Sequence, residues 1–255
     1  MSVRMFFSKW VVSIAVVTLL ISSIVFAQGG PPLSTDDPGT PGDGHWEINS
    51  AAQWALTNQA TTLQLPLFDI NYGYGDHIQL NLNTSFINVD QRSVGKLSGI
   101  SLASTGVKWR FVDEKVFGVA ISTYPRIDFH HGLSSNDPNV NSPGNRYFLP
   151  IEFSKEFGKF GVNPELGYAS YTQAPSEWVY GLATSYTFEK DKEVLFELHG
   201  RSLIGTADRE LFYNFGFRYF LIEHLSAIGA IGKTFLAYAD TPLSWNIYAG
   251  VQLRL

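Results

Sequence analysis

The sequence has no cysteine, 2 methionines and only 16% charged residues, with Asp and Glu (23) outnumbering Lys and Arg (18). Without cysteine there is no disulfide, no thiolate chemistry and no cysteine-linked lipid anchor. A formal charge of −5, with no run of Lys and Arg, argues against nucleic acid as a partner, because phosphates call for clustered cations. The 16% charged fraction falls well below the roughly 25% of ordinary soluble domains. No Gly-rich phosphate loop, paired-Cys motif or HExxH occurs, so neither a cofactor nor a metal is expected. Beyond residue 27 there is no apolar run of about 18 residues, and hence no transmembrane helix.

Residues 1–27 read as a secretory signal peptide: Arg4 and Lys9 precede an apolar stretch, and Val25-Phe26-Ala27 offers small residues at the cleavage positions. An uncleaved anchor is the rival reading, but the apolar stretch is short and broken by Ser13, Ser22 and Ser23. Cleavage leaves 255 − 27 = 228 residues, and losing Arg4 and Lys9 moves the formal charge from −5 to −7. Residues 28–44, QGGPPLSTDDPGTPGDG, can offer no apolar face and read as a turn-rich periplasmic leader, with this leader and the long loop across 128–146 as candidate constrictions.

From His45 to Leu255 the texture changes to alternating apolar and polar residues in segments of about a dozen, each closed by a turn signal. Twelve such segments predict strands near 45–56, 61–73, 77–88, 100–111, 116–127, 145–155, 160–172, 177–188, 194–203, 209–220, 225–236 and 243–255. Tight connections such as YGDH and EFGK alternate with longer ones, including the loop across 128–146. That is the pattern of an all-β fold, a closed antiparallel transmembrane β-barrel with both termini at the periplasmic side. Trp46, Trp54, Trp109, Trp178, Phe215, Phe217 and Trp245 share the apolar parity, which suits lipid boundaries better than a small soluble core. Since lipid offers the backbone no partner, the last strand is expected to pair with the first. Two segments defy simple parity. A bulge is expected at Pro66, and Lys233 is turned toward the lumen because lipid would reject its charge.

The end of the chain, WNIYAGVQLRL, resembles the carboxy-terminal signal read by the barrel-assembly machinery, with Tyr248, Gly250, Leu253 and Leu255 at the matching positions and Leu where the pattern has a final Phe. TDDPGTPGDGHWEIN, LPLFDINYGYGDHIQLNLN and GVKWRFVDE resemble a family of outer-membrane transporters associated with phenol-degradation pathways, over most of the mature chain. The resemblance implies a barrel in the outer membrane of a Gram-negative bacterium, with lipid and the assembly machinery as partners, and names no solute.

Twelve tilted strands enclose a cylinder roughly 25 Å across. Its expected lumen receives Glu47, Lys108, Arg110, Arg126, Glu152, Glu165, Glu197, His199, Arg201, Arg218, Lys233 and Arg254. One reading is a narrow mixed-charge channel or transporter for small polar or weakly acidic solutes. The alternative is a plugged structural or adhesion barrel whose charges pair with one another. An outer-membrane lipid hydrolase is a lesser alternative, since no outward Ser, His and third group fall together, and the chain is not read as an enzyme. Asp128, His130 and His131 share a loop, and Asn83-Thr84-Ser85 fits a glycosylation acceptor, but neither pattern is specific. The mature chain is expected to sediment with the outer membrane and to stay in solution only in detergent. Recovery as a freely soluble periplasmic protein would overturn the lipid-facing assignment.

Overall fold

The computed structural model describes residues 30–93, 95–129, 144–238 and 243–255. The signal peptide and His130 and His131 lie outside the described residues. Among the described residues no helix is long and apolar enough to cross a membrane.

The strands follow the sequence in order. β1 (Trp46–Thr57), β2 (Ala60–Tyr74), β3 (Ile78–Gln91) and β4 (Gly95–Val112) form three hairpins. A single helical turn, α1 (Glu114–Phe117), precedes two short strands, β5 (Ala120–Thr123) and β6 (Arg126–Asp128). β7 (Arg146–Phe157), β8 (Phe160–Tyr171), β9 (Glu177–Glu189), β10 (Lys192–Leu203), β11 (Arg209–Ile222), β12 (Leu225–Ala237) and β13 (Leu243–Arg254) complete the chain. Each pairs antiparallel with its neighbours, and β13 returns to β1 with Arg254 opposite Glu47. Trp46 and Leu255 exchange both backbone hydrogen bonds, at 2.8 and 2.9 Å, which closes the cylinder at the chain's last residue.

β5 and β6 both lie between β4 and β7, so they are one stave in two pieces and the barrel has twelve staves. A single strand over 116–127 was the expectation. Pro125 cannot donate to the ladder, and the break there turns Tyr124 inward, where only 2% of it is exposed. Helical residues replace the strand's expected start at 116–117. At the other end of β4, the expected loop over 90–99 is mostly ladder, since β3 and β4 pair as far as Gln91 and Gly95. The bulge at Pro66 is present: the register slips between Gln64 and Leu67, and the inward set passes from Gln64 to Asp69, Asn71 and Gly73.

Alternation sorts the two faces. Outside are Trp46, Trp54, Trp109, Trp178, Phe215, Phe217, Trp245 and many Leu and Ile, exposed in a way that suits lipid and no aqueous surface. Inside are Asn49, Lys108, Glu152, Asn163, Glu165, Glu197, Asn214, Arg218 and Gln252, all buried. The polar interior is this protein's core.

Lys233 corrects the expectation. It lies on the outward parity of β12, with its ammonium 5.4 Å from the centre of the Trp245 ring. The face of β12 that turns inward is partly apolar, Ile228 and Ala230 being buried against Leu33 of the leader. Lys233 sits near the strand end, where its stem can run along lipid and carry the charge toward the boundary.

At the closing seam an added Cβ on Gly250 would lie 2.6 Å from Ala51 Cβ and 2.6 Å from Ser50 O. Gly250→Val should therefore strain the β1–β13 pairing by about 1–3 kcal/mol. The fraction migrating as a compact species in unheated detergent electrophoresis is expected to fall, while Val251→Ile on the lipid face leaves it unchanged.

Candidate functional site

The leader, described from residue 30 to residue 44, runs back from β1 into the barrel. Gly44 donates to Gly73 O at 3.0 Å and Thr40 Oγ1 to Asp76 O at 2.8 Å, so the chain folds back over the β2–β3 turn and enters the lumen. There Leu33, Thr35, Asp37 and Pro38 are buried. Thr35 packs so tightly on Gly181 that any Cβ on that residue would collide with its Oγ1 and Cγ2. Glycine at 181 is thus required by close approach.

Lumen charges fall into three levels along the strands. At the end with the short turns, Arg218 Nη1 meets Glu193 Oε2 at 2.6 Å, Arg254 Nε meets Glu47 Oε2 at 3.3 Å, and Arg110 Nε meets Asp113 Oδ1 at 2.9 Å. His77 and Arg110 together hold the Asp113 carboxyl below its usual range, the His77 hydrogen bond contributing most. At the far end Arg201 spans Glu177, Asp208 and Glu210 at 3.5–3.7 Å, and Arg146 spans Asp128 at 2.9 Å and Glu177 at 3.4 Å. The leader is seated between these two rings.

In the middle level, Lys108 Nζ donates to Asp36 Oδ1 at 2.8 Å, Asp37 O at 2.5 Å and Gly39 O at 3.3 Å. Arg126 stands 3.9 Å from Asp36 Oδ2, its guanidinium between the rings of Tyr124 and Phe148 at 4.7 and 4.9 Å. On the other side, Glu197 accepts from the backbone of Ser34 at 3.0 Å, from that of Thr35, and from Asn214 Nδ2 at 2.6 Å. Glu165 accepts from the Asp36 backbone at 3.3 Å, and Glu152 from Ser122 Oγ at 2.6 Å. β4 and β6 carry the cations while β10 and β8 carry the acids, so the leader bridges a basic and an acidic wall. A separate buried network gathers Asn49, Asn71 and Asn81 amides on the Asp69 carboxylate at 2.6–3.2 Å. Between leader and wall remains a cavity of about 170 Å³, lined in part by Asp36, Asp69, Asn83, Lys108, Tyr124 and Arg126.

No protein-family model and no curated protein matches the sequence. Solved structures do. An outer-membrane channel from Pseudomonas putida F1 superposes with a TM-score of 0.71 at 13% identity, over 89% of this chain and 100% of that one. The NanC porin matches with a TM-score of 0.54 at 9% identity, and the KdgM porin with 0.50 at 12%, each over 81% of this chain and 98% of its own. The fold is an outer-membrane β-barrel.

Of the residues picked from sequence, Glu47, Lys108, Arg110, Arg126, Glu152, Glu165, Glu197, His199, Arg201, Arg218 and Arg254 all lie on the inward face, and Lys233 alone does not. His199 joins no ion pair: its ring packs on Phe212 at 5.0 Å and its Nδ1 has no hydrogen-bond partner among the described residues. That is not the setting of an oriented general base. Missed were Glu177, Glu193 and Glu210, which share the inward parity of residues that were named on or beside their strands. Asp69 was hidden by the phase change at Pro66. Asp36 was not singled out: the leader as a whole is a candidate constriction, but nothing in QGGPPLSTDDPGTPGDG marks one residue for contact with the wall.

Burial raises the Asp36 carboxyl, but Lys108 and Arg126 outweigh it and hold the group below the usual carboxylate range. A group depressed on docking stabilises the docked state above its free value and ceases to do so as pH falls through its lowered one. The leader is therefore expected to stay seated through neutral and mildly acidic pH. Gly181→Val should unseat it at neutral pH with the barrel intact. Limited proteolysis of the leader is the measurement, and equal protection in both chains would contradict the seat beside Gly181.

Proposed function

We infer that the chain is an outer-membrane channel, in a Gram-negative bacterium, for small polar or weakly acidic solutes, with the leader as an internal constriction. The observation that carries this reading is the wall itself: a sealed cylinder whose apolar side faces out and whose charged side faces in, with Lys108 and Arg126 on one arc of its middle level and Glu165 and Glu197 on another. A transverse field of that kind orients a dipolar solute as it passes, and fixed charges in a narrow, poorly screened lumen act more strongly than in bulk water. The fold shared with the Pseudomonas putida F1 channel and the two porins supports the same reading.

The leader's seat favours a second reading, a barrel sealed for structural or adhesive ends. Conductance in planar bilayers separates the two. The mature chain is expected to give small, intermittent currents, and a chain beginning at His45 larger and steadier ones. Neutral replacement of Arg110, Arg201 and Arg218 together should shift the reversal potential toward cation preference, since each removes a lumen cation and leaves its acidic partners. A folded, leader-free barrel that never conducts would defeat the channel reading.

A further inference from the structure

The contact between leader and wall has the form of a bound ligand. All three hydrogen bonds of the Lys108 ammonium go to the leader, and this side chain is only 3% exposed. Removing the leader would strip this ammonium of all three of its hydrogen-bond acceptors, a state that demands a replacement anion or extensive hydration. Arg126 is held in place by the wall, stacked between Tyr124 and Phe148, yet its Nε has no hydrogen-bond partner among the described residues and Asp36 reaches only 3.9 Å from Nη1. A guanidinium fixed by two rings and not taken up by a fork-shaped pair is a preformed carboxylate receptor with spare capacity. The cavity beside Asp36 borders both cations. Of the nearby acids, Glu152 gives one oxygen to Ser122 and its Oε1 has no hydrogen-bond partner, and Glu165 faces the leader's own backbone N–H; among the described residues neither makes a hydrogen bond to Lys108 or Arg126.

We propose that Lys108 and Arg126 form a carboxylate subsite of the channel, that Asp36 of the leader occupies it at rest as an internal mimic, and that small hydroxycarboxylates displace the leader by competing for it. The hydroxyl requirement comes from the opposite wall. Glu197 and Glu165 accept the leader's Ser34, Thr35 and Asp36 backbone N–H groups, so a competing solute has to bring donors of its own. The inference rests on the channel reading and gives it a solute class: an acid group at one end and hydroxyl donors at the other. Passage and unplugging then become one event, because the solute that fits is the one that vacates the lumen.

The test uses the full chain with Thr35→Cys, which places the only thiol at a position with no exposure, in place of a hydroxyl that has no hydrogen-bond partner among the described residues. The readout is the rate of labelling by a membrane-impermeant thiol reagent in liposomes. Erythronate, with one carboxylate and three hydroxyls, is the probe, with erythritol as the neutral analogue of equal carbon count and potassium chloride at matched ionic strength as the screening control. Erythronate is expected to speed labelling about tenfold over both controls, the effect of one charge-assisted contact exchanged. In Asp36→Asn the half-maximal erythronate concentration should fall. In Lys108→Met labelling should be fast throughout and indifferent to erythronate. Labelling that responds no more to erythronate than to potassium chloride, or an erythronate response that survives Lys108→Met, overturns the subsite. A conducting barrel without erythronate-dependent labelling sinks this inference alone, whereas a leader-free barrel that never conducts sinks the channel reading beneath it.

Discussion

Charge inside this cylinder has to be matched inside it. Most backbone groups of the wall are committed to the ladder that closes between Trp46 and Leu255, and the outer face is apolar, so lumen side chains find partners chiefly in one another, in water or in the leader. Breaking one member of a buried pair leaves the other uncompensated, at a cost of about 3–5 kcal/mol. That penalty explains why the lumen is a set of closed circuits and not a smooth charged tube. Arg201 and Arg146 gather four acids at one mouth, and Arg218–Glu193 and Arg254–Glu47 settle the other. The middle level, at Lys108 and Arg126, is left to a segment outside the wall, whose Pro31 and Pro38 carbonyls also accept from Arg218 and Arg110.

The leader is suited to that place by what it lacks. Gly, Pro, Ser, Thr and Asp give it little side-chain bulk, so it threads a lumen that Tyr124, Tyr248 and Phe148 already narrow. Its one large apolar residue, Leu33, meets Ile228 and Ala230, the apolar inward pair of β12. This contact also accounts for Lys233. Once the leader supplies an apolar partner inside, β12 no longer needs a polar inward face, and the rule that charge points inward loses its force there.

Much of the wall could be read directly. Strands were expected within a few residues of their places because side chains alternate with period two in every hairpin, and a lipid exterior makes the two faces chemically unlike. The reading weakened where a local feature interrupted that period. Pro125 split one stave, Pro66 hid Asp69 behind a phase change, and the extended hairpin at Gln91 and Gly95 resembled a loop because its residues are polar. Glu177, Glu193 and Glu210 were legible by parity with their neighbours. Asp36 was not, since a segment without periodicity carries no record of what it touches.

The sequence by itself determined the alternation, the aromatic outer face, the number of staves and the strand that meets Trp46, because each follows from side chains one or two residues apart. Tertiary structure alone decided which lumen charges meet, where the leader goes and which way β12 turns its lysine. Those outcomes depend on groups as far apart in the chain as Ser34 and Glu197, brought together by closure, and pairing across a closed lumen leaves no trace in local order.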